Sequence, residues 1–445
     1  MKIKVTDKSY SEVLKLPKPV HKNPIRQRAI WRLIMRLASA GELKQTHFQC
    51  EKIGMEKRKG TEPCLYLMNH SSFTDLQIAA TLLAGEQYHI VCTNDGLIGK
   101  AGLMRQIGCI PTRKFIMDLD LIKDMRYAVN QLGSSLLMYP EASYSFDGSE
   151  TPLPESLGKC LKLLNIPVVM IKTEGAFLRD PLYNGLQKRQ VNVKATMEYL
   201  ISPEMTKEQS VEELNAILRK AFHYDHFRQQ KAANVLVREK FRADGLHRVL
   251  YQCPACRQEG KMLGKGIEIS CQACGKTYIL QEDGTLKASE NLSDLPADVL
   301  AGENPKDISL RAEAEQEDQT DFSYVTDWYR WERENVRKEI LQNRYRMELD
   351  VKILVLADEK SMYHIGDGHL SHSADGFFLQ SDDKILKYHQ GPHDSYSLYA
   401  DYFWYEIGDM ICIGNTKYQY YCFPKEAEKC IVAKARLAAE EMYKM

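Results

Sequence analysis

His70 and Asp75 are the residues best suited to acid–base chemistry, in the segment His70-Ser-Ser-Phe-Thr-Asp75. The apolar run 64–68 before them predicts a buried strand, and the pattern of 75–84 predicts an amphipathic helix. His70 then lies in a strand-to-helix turn, at the sheet edge where α/β folds place their chemistry. Asp75 can fold back to hold one imidazole nitrogen protonated, so that the other nitrogen can take a proton from a hydroxyl.

A helix-capping interpretation explains the same residues without catalysis. Ser72 suits the N-cap position, and Asp75 three residues later would complete a capping box. His70 would then be an ordinary turn histidine. The segment by itself leaves both interpretations open.

Two Cys-x2-Cys pairs form the second chemical signal. Cys253 and Cys256 are separated by fourteen residues from Cys271 and Cys274, and Gly275 follows. This spacing fits four thiolates around one structural Zn²⁺ in a zinc ribbon, with no position left for water. Two disulfides are the alternative. No run of basic residues interleaved with aromatics follows, so we expect an interdomain role and no nucleic-acid partner.

Further polar residues follow predicted strands in the same way as His70. Arg113 follows a strand near 107–110, and Glu141 follows a strand at 135–139. Parallel strands would bring these side chains to the same rim of the sheet. Arg113 is either a substrate ligand or a surface charge. Glu141 either contacts substrate or accepts structural hydrogen bonds.

Four blocks in order resemble the glycerolipid acyltransferases, the lysophosphatidic-acid acyltransferase group, over about residues 25 to 225. The blocks are Asn69-His-Ser-Ser-Phe-Thr-Asp75, Gly108-Cys-Ile-Pro-Thr-Arg113, Tyr139-Pro-Glu-Ala-Ser-Tyr-Ser145 and Ile166-Pro-Val-Val-Met170. The resemblance implies that His70 is a general base, that Asp75 orients it, and that the segment ending in Thr112 and Arg113 binds the acceptor's phosphate. Glu141 and Ser143 would shape the substrate site.

The third block departs from the family pattern at two positions. Ala142 and Tyr144 stand where the family has glycine and arginine. Tyrosine offers one uncharged donor in place of a bidentate guanidinium. The prediction of a phosphate-bearing acceptor therefore depends mainly on Arg113.

Short apolar strands alternating with helices from residue 61 predict an α/β fold with a mostly parallel sheet flanked by helices. A zinc ribbon and a small β-rich domain would follow. The expected division is an N-terminal arm with a membrane-facing helix at 1–60, an acyltransferase domain at 61–245, the ribbon at 246–285, an acidic linker and helix at 286–346, and a β-rich domain with a C-terminal helix at 347–445. The last unit resembles a pleckstrin-homology or GRAM-like module in its pattern of strands.

The N-terminal region is basic and predicts a membrane contact. Residues 1–60 carry 15 Lys/Arg and 5 Asp/Glu. Residues 1–22 are expected to be a loose arm, and Asn23-Pro24 to begin a helix. Its apolar face would hold Ile30, Trp31, Leu33, Ile34 and Leu37, opposite Arg28, Arg32 and Arg36. Such a helix suits the headgroup layer of an anionic membrane, unless it packs on the protein itself.

The resemblance implies a lipid-modifying enzyme, and we expect it in the bacterial cytoplasm, bound peripherally to the inner face of the cell membrane. Neither a signal peptide nor an apolar run of about 18 residues is visible, and the scattered cysteines suggest reduced thiols. The predicted reaction moves a fatty acyl group from acyl-ACP or acyl-CoA to a hydroxyl of a lysophospholipid-type acceptor, with 1-acyl-glycerol-3-phosphate as the first candidate. A sugar- or amine-bearing lipid acceptor and a non-catalytic lipid-binding scaffold are the alternatives.

Overall fold

The computed structural model describes residues 3–17, 19–116, 118–289, 321–426 and 431–445. After a short strand β1 (Val5–Asp7), the chain builds a seven-stranded sheet in the order β2-β8-β7-β3-β6-β4-β5. Its strands are β2 (Gln49–Ile53), β3 (Leu65–Met68), β4 (Tyr88–Thr93), β5 (Cys109–Thr112), β6 (Ser135–Met138), β7 (Val168–Glu174) and β8 (Lys194–Ile201). All neighbours pair in parallel except β7 and β8, which are antiparallel. The predicted α/β fold with a mostly parallel sheet is confirmed.

Helices cover both faces of this sheet. Along β3, Tyr66 and Met68 belong to one apolar core, whereas Leu65 and Leu67 belong to another. Successive side chains of a strand point to opposite faces, so a strand buried on both sides is a continuous apolar run. The helices are α1 (Tyr10–Leu14), α2 (Ala29–Gln45), α3 (Thr74–Leu82), α4 (Ala101–Ile107), α5 (Leu119–Asn130), α6 (Leu157–Leu164), α7 (Ala176–Arg179), α8 (Pro203–Glu208), α9 (Val211–Phe222), α10 (His226–Ala232), α11 (Val325–Leu341) and α12 (Val432–Tyr443).

The N-terminal region differs from the prediction in two ways. The arm expected to be loose contains β1, which pairs in parallel with a strand of the C-terminal sheet, and the capped helix α1. Helix α2 begins at Ala29 and not at Asn23-Pro24. The preceding segment is held extended because the Ile25 carbonyl lies 2.9 Å from His89 Nε2, and the Gln27 side chain donates to the Ile107 carbonyl.

The cysteine pairs lie in a small antiparallel sheet of four strands in the order β12-β11-β10-β9. These strands are β9 (Met262–Lys265), β10 (Glu268–Cys271), β11 (Thr277–Leu280) and β12 (Leu286–Ala288). Helix α11 is the helix predicted within 286–346. It packs on the sheet through Trp328, whose ring lies 4.9 Å from that of Tyr278. Most of the predicted acidic linker lies outside the described residues.

The C-terminal sheet is antiparallel in the order β16-β15-β14-β13-β19-β18-β17, with β1 added in parallel to β14. Its strands are β13 (Arg346–Leu356), β14 (Met362–Ser373), β15 (Gly376–Ser381), β16 (Lys387–Gln390), β17 (Tyr399–Trp404), β18 (Gly408–Gly414) and β19 (Gln419–Pro424). Helix α12 follows, where the sequence predicts a C-terminal helix; residues 427–430 before it lie outside the described residues. The likeness to a pleckstrin-homology or GRAM-like module stays a prediction.

This sheet packs against the domain that contains the seven-stranded sheet. Tyr399 and Trp404 both donate hydrogen bonds to Asp95, at 2.8 and 3.2 Å. Ile98 and Phe115 join the apolar cluster of the C-terminal sheet. No helix within the described ranges is long and apolar enough to cross a bilayer.

Candidate active site

His70 lies just beyond the carboxyl end of β3, in the turn before α3. Its backbone N–H donates to Glu141 Oε2 at 2.8 Å. Its ring lies between Tyr139 and Tyr144, with centroid distances of 4.2 and 4.5 Å. The side chain keeps 22% of its surface exposed, so the imidazole is enclosed but reachable.

Asp75 unites the two interpretations of the motif. Its Oδ2 accepts from the backbone N–H groups of Ser71 and Ser72, at 2.6 and 2.9 Å, as a helix-capping carboxylate does. The same oxygen lies 3.4 Å from His70 Nδ1, and Oδ1 accepts from the Thr173 hydroxyl at 3.2 Å. The carboxylate is fully buried and fixed from three sides. It can therefore cap the helix and place a negative charge beside Nδ1, although this 3.4 Å contact does not meet hydrogen-bond geometry. That charge favours the tautomer with its proton on Nδ1 and its lone pair on Nε2.

The surroundings keep the imidazole neutral. Burial lowers the pKa of His70 below 6.5, the charge of Asp75 acts in the opposite direction, and the charge of Lys114 lowers it further. A neutral imidazole is the form that can accept a proton, so this ring can act as a base near neutral pH.

Glu141 is a structural acceptor in this geometry. Besides the His70 N–H, it accepts from the backbone of Thr151 at 2.8 Å and from the Tyr224 hydroxyl at 2.9 Å. Burial raises its pKa to about 8 in spite of these donors. All of these hydrogen bonds join Glu141 to other residues of the chain. Glu141 therefore affects the reaction only by fixing the position of the His70 backbone.

The other predicted site residues lie at the same rim of the sheet and differ in whether their side chains have partners within the protein. Arg113, just after β5, donates from Nη1 to Asp118 at 3.0 Å. Thr112, the last residue of β5, is partly buried. Ser143 is buried, and its Oγ has no hydrogen-bond partner among the described residues. Ala142, at the family's glycine position, has φ of 55°, a left-handed conformation that costs a residue with a Cβ about 1 kcal/mol.

Several residues of this site were not found from the sequence. Lys114 follows Arg113 directly, and its ammonium lies 3.9 Å from the centre of the Tyr399 ring of the C-terminal sheet. His226, on α10, lies 3.1 Å from the hydroxyl of Ser71. The position of Lys114 directly after Arg113 was a signal in the sequence that could have identified it. Nothing local in the sequence points to contacts with residues more than 150 positions away.

The four ribbon cysteines form a candidate metal centre. Their ligand atoms all lie within 4.8 Å of one another. The Sγ distances are 3.7 Å for Cys253–Cys274 and for Cys256–Cys271. A tetrahedron with metal–sulfur bonds of about 2.3 Å has sulfur–sulfur edges of about 3.8 Å, so the cluster can hold one metal ion of zinc's size.

Comparison with known proteins identifies the domain that contains His70. Residues 49–172 match the family model described as Acyltransferase. A solved structure, the 1-acyl-sn-glycerophosphate (LPA) acyltransferase PlsC from Thermotoga maritima, is 14% identical with a TM-score of 0.34, covering 43% of this chain and 76% of that one. That likeness is too weak to support an argument, and no curated protein matches the chain. The family match confirms the resemblance of the sequence blocks: residues 49–172, which contain His70 and Asp75, are similar to the acyltransferase family.

Proposed function

We propose that the protein transfers a fatty acyl group from a thioester, acyl-ACP or acyl-CoA, to a hydroxyl of a lysophospholipid-type acceptor. The observation that carries this proposal is the pair His70–Asp75 at the rim of an acyltransferase domain, with Nδ1 and Oδ2 3.4 Å apart. A scaffold that only bound lipid could use Asp75 to cap α3, but it would not need a neutral imidazole beside that carboxylate.

In the proposed reaction, His70 Nε2 removes the proton of the acceptor hydroxyl as its oxygen attacks the thioester carbonyl. Asp75 stabilises the imidazolium that forms. When the tetrahedral intermediate collapses, the carbon–sulfur bond breaks and the imidazolium returns its proton to the leaving thiolate. General base catalysis contributes about 10²–10⁴-fold, so positioning of donor and acceptor supplies much of the remaining acceleration.

The acceptor implied by the resemblance is 1-acyl-glycerol-3-phosphate, which would make the enzyme part of membrane phospholipid synthesis. Arg113 is the residue predicted to hold its phosphate. The contact between Arg113 and Asp118 leaves that guanidinium less positive charge for a ligand than the sequence alone suggests. The nature of the headgroup therefore depends on the other residues of the rim.

Helix α2 supports a peripheral position on the inner face of the cell membrane. Four apolar residues on its outer side, Ile30, Leu33, Ile34 and Leu37, are 43–65% exposed. A row of exposed apolar side chains beside exposed Arg28 and Arg36 suits the boundary between headgroups and acyl chains. Trp31 and Arg32 were predicted to share in this contact, but they donate to Gln106 and Gln87 of the protein.

The ribbon cysteines are proposed to bind one structural Zn²⁺. Zinc would then stabilise the small sheet on which Trp328 packs, since ribbons of this size fold largely through their metal. The zinc would play no part in the acyl transfer.

The proposed function is tested by incubating the full chain with labelled acyl-CoA and acyl-ACP and a panel of lysolipids in mixed micelles, followed by mass analysis of the products. We expect one acylated lipid that depends on both substrates. Absence of any acylated lipid with either donor, while lysolipid still binds, would instead indicate the scaffold.

A further inference from the structure

Three polar groups at the rim beside His70 make no hydrogen bond or ion pair with another side chain among the described residues. They are the ammonium of Lys114, the hydroxyl of Tyr144 and one carboxylate oxygen of Asp401, here named the rim cluster. Each of the three side chains is partly exposed. Two come from the acyltransferase domain, and Asp401 comes from β17 of the C-terminal sheet.

Contacts place Tyr144 beside His70, and Lys114 and Asp401 beside Tyr399 of the C-terminal sheet. The ring of Tyr144 lies 4.5 Å from that of His70, and the ammonium of Lys114 lies 3.9 Å from the centre of the Tyr399 ring. Asp401 is two residues beyond Tyr399 on the same strand and thus on the same face of the sheet. Its Oδ1 accepts from the backbone N–H of Tyr402 at 2.8 Å, which leaves Oδ2 available to a ligand.

Electrostatic effects agree with this proximity. Burial raises the pKa of Tyr144, and the charges of Asp75, Asp180 and, less strongly, Asp401 add to the rise. Burial raises the pKa of Asp401 to about 6, and the charge of Lys114 opposes that rise. Lys114 in turn contributes to the lowered pKa of His70.

The charge balance of the rim does not suit a phosphate monoester. Such a group carries about −1.5 to −2 charges at neutral pH. Tyr144 stands where the family has an arginine, and Arg113 already donates to Asp118. The single positive charge of Lys114 is opposed by the carboxylates of Asp401 and the buried Asp95. An uncharged or zwitterionic headgroup can instead accept from Lys114 and Tyr144 while it donates a hydroxyl or ammonium to Asp401.

We propose that the rim cluster of Lys114, Tyr144 and Asp401 binds an acceptor headgroup of zero net charge, and that Asp401 of the C-terminal sheet discriminates against terminal phosphate. This inference rests on the proposed acyl transfer and names its acceptor class. It gives the C-terminal module a direct part in substrate selection.

The test compares kcat/KM of the full chain for three acceptors with the same acyl chain. These are 1-acyl-glycerol-3-phosphate, 1-acyl-glycerol and lysophosphatidylethanolamine, presented in the same uncharged detergent micelles. We expect the wild type to favour one of the two acceptors without net charge over the phosphate monoester.

The variant Asp401→Asn keeps the shape of the side chain and removes its charge. A carboxylate in the headgroup site repels a phosphate of about −1.5 to −2 charges, so its removal should raise relative kcat/KM for the phosphate acceptor by at least about ten-fold. Asp375→Asn, which removes one carboxylate from an exposed turn of the same sheet, should leave the ratio unchanged.

Two results would overturn the inference while leaving the acyl transfer in place. One is a wild-type preference for 1-acyl-glycerol-3-phosphate over both other acceptors. The other is an Asp401→Asn variant whose acceptor ratio equals that of Asp375→Asn. Failure to acylate any acceptor would refute the proposed function, and with it this acceptor site.

Discussion

Replacing Asp75 with Asn separates its capping contacts from its charge. The amide oxygen can still accept from the N–H groups of Ser71 and Ser72, and the amide nitrogen can donate to the Thr173 hydroxyl oxygen. The side chain keeps its volume in a fully buried place. What the variant loses is the negative charge 3.4 Å from His70 Nδ1.

The magnitude follows from that distance. Opposite unit charges 3.4 Å apart interact by about 5 kcal/mol at an effective dielectric constant of about 20. Water that reaches the partly exposed imidazole screens some of this interaction. We therefore expect the transition state to lose about 3–4 kcal/mol, a fall of about 10²–10³-fold in kcat.

The assay is kcat at saturating donor and acceptor, together with thermal unfolding of the same preparations. The melting temperature should stay close to that of the wild type. The acid limb of kcat/KM should move to lower pH, because the charge of Asp75 raises the pKa of His70. Asp180→Asn is a matched control, since Asp180 is a buried carboxyl that accepts from Thr74 at 3.4 Å and is not among the groups that shift the pKa of His70.

A kcat within about three-fold of the wild type, with an unchanged melting temperature, would show that Asp75 is a capping residue only. Equal losses for Asp75→Asn and Asp180→Asn would point to general damage around α3 and would also refute the reasoning.

Three further predictions concern the pH profile, the metal and the membrane. The acid limb of kcat/KM should have an apparent pKa below 6.5. Lys114→Met should raise this pKa, because the charge of Lys114 lowers the pKa of His70. An acid limb that does not move would contradict this charge effect. Protein purified without chelator should contain one zinc per chain, and Cys274→Ser should lose it with a lower melting temperature but a smaller loss of activity than His70→Ala; metal analysis without zinc would refute the site. Leu33→Ser combined with Leu37→Ser should release the protein from anionic vesicles, whereas Leu263→Ser, at an exposed ribbon position, should not; equal co-sedimentation of both would mean that α2 does not contact lipid.

The parts of the fold predicted from the sequence are those encoded by local patterns. Strands β3, β4 and β6 are short apolar runs next to turn residues, and their parallel pairing follows from the helices between them. The positions of His70 and Glu141 after such strands therefore predicted a common rim. The cysteine spacing likewise predicted a cluster, because each Cys-x2-Cys turn places two sulfurs on one side.

Besides β1, strands β2 and β14 were missed because their sequences lack a strong apolar pattern. Strand β2 lies at a sheet edge and has mostly exposed residues. Strand β14 contains three histidines, two glycines and an aspartate within its twelve residues, and only its pairing with β13 and β15 identifies it.

The contacts of the rim depend on tertiary structure alone. Lys114 and Tyr399 are far apart in the chain, as are Asp95 and Trp404. Periodicity describes how one element buries its own face, and it carries no information about which distant element covers that face. The dual role of Asp75 was not resolved for a similar reason, since capping and catalysis require the same residue at the same spacing.

The central claim is that His70 is the base in acyl transfer. Its most direct test is a single-turnover measurement with labelled acyl thioester bound to excess enzyme, comparing the wild type with His70→Ala at equal melting temperature. The mechanism predicts acylated lipid and free thiol in equal amounts from the wild type, and a loss of at least about 10²-fold in rate for His70→Ala. A variant that forms acylated lipid at more than about a tenth of the wild-type rate would contradict it.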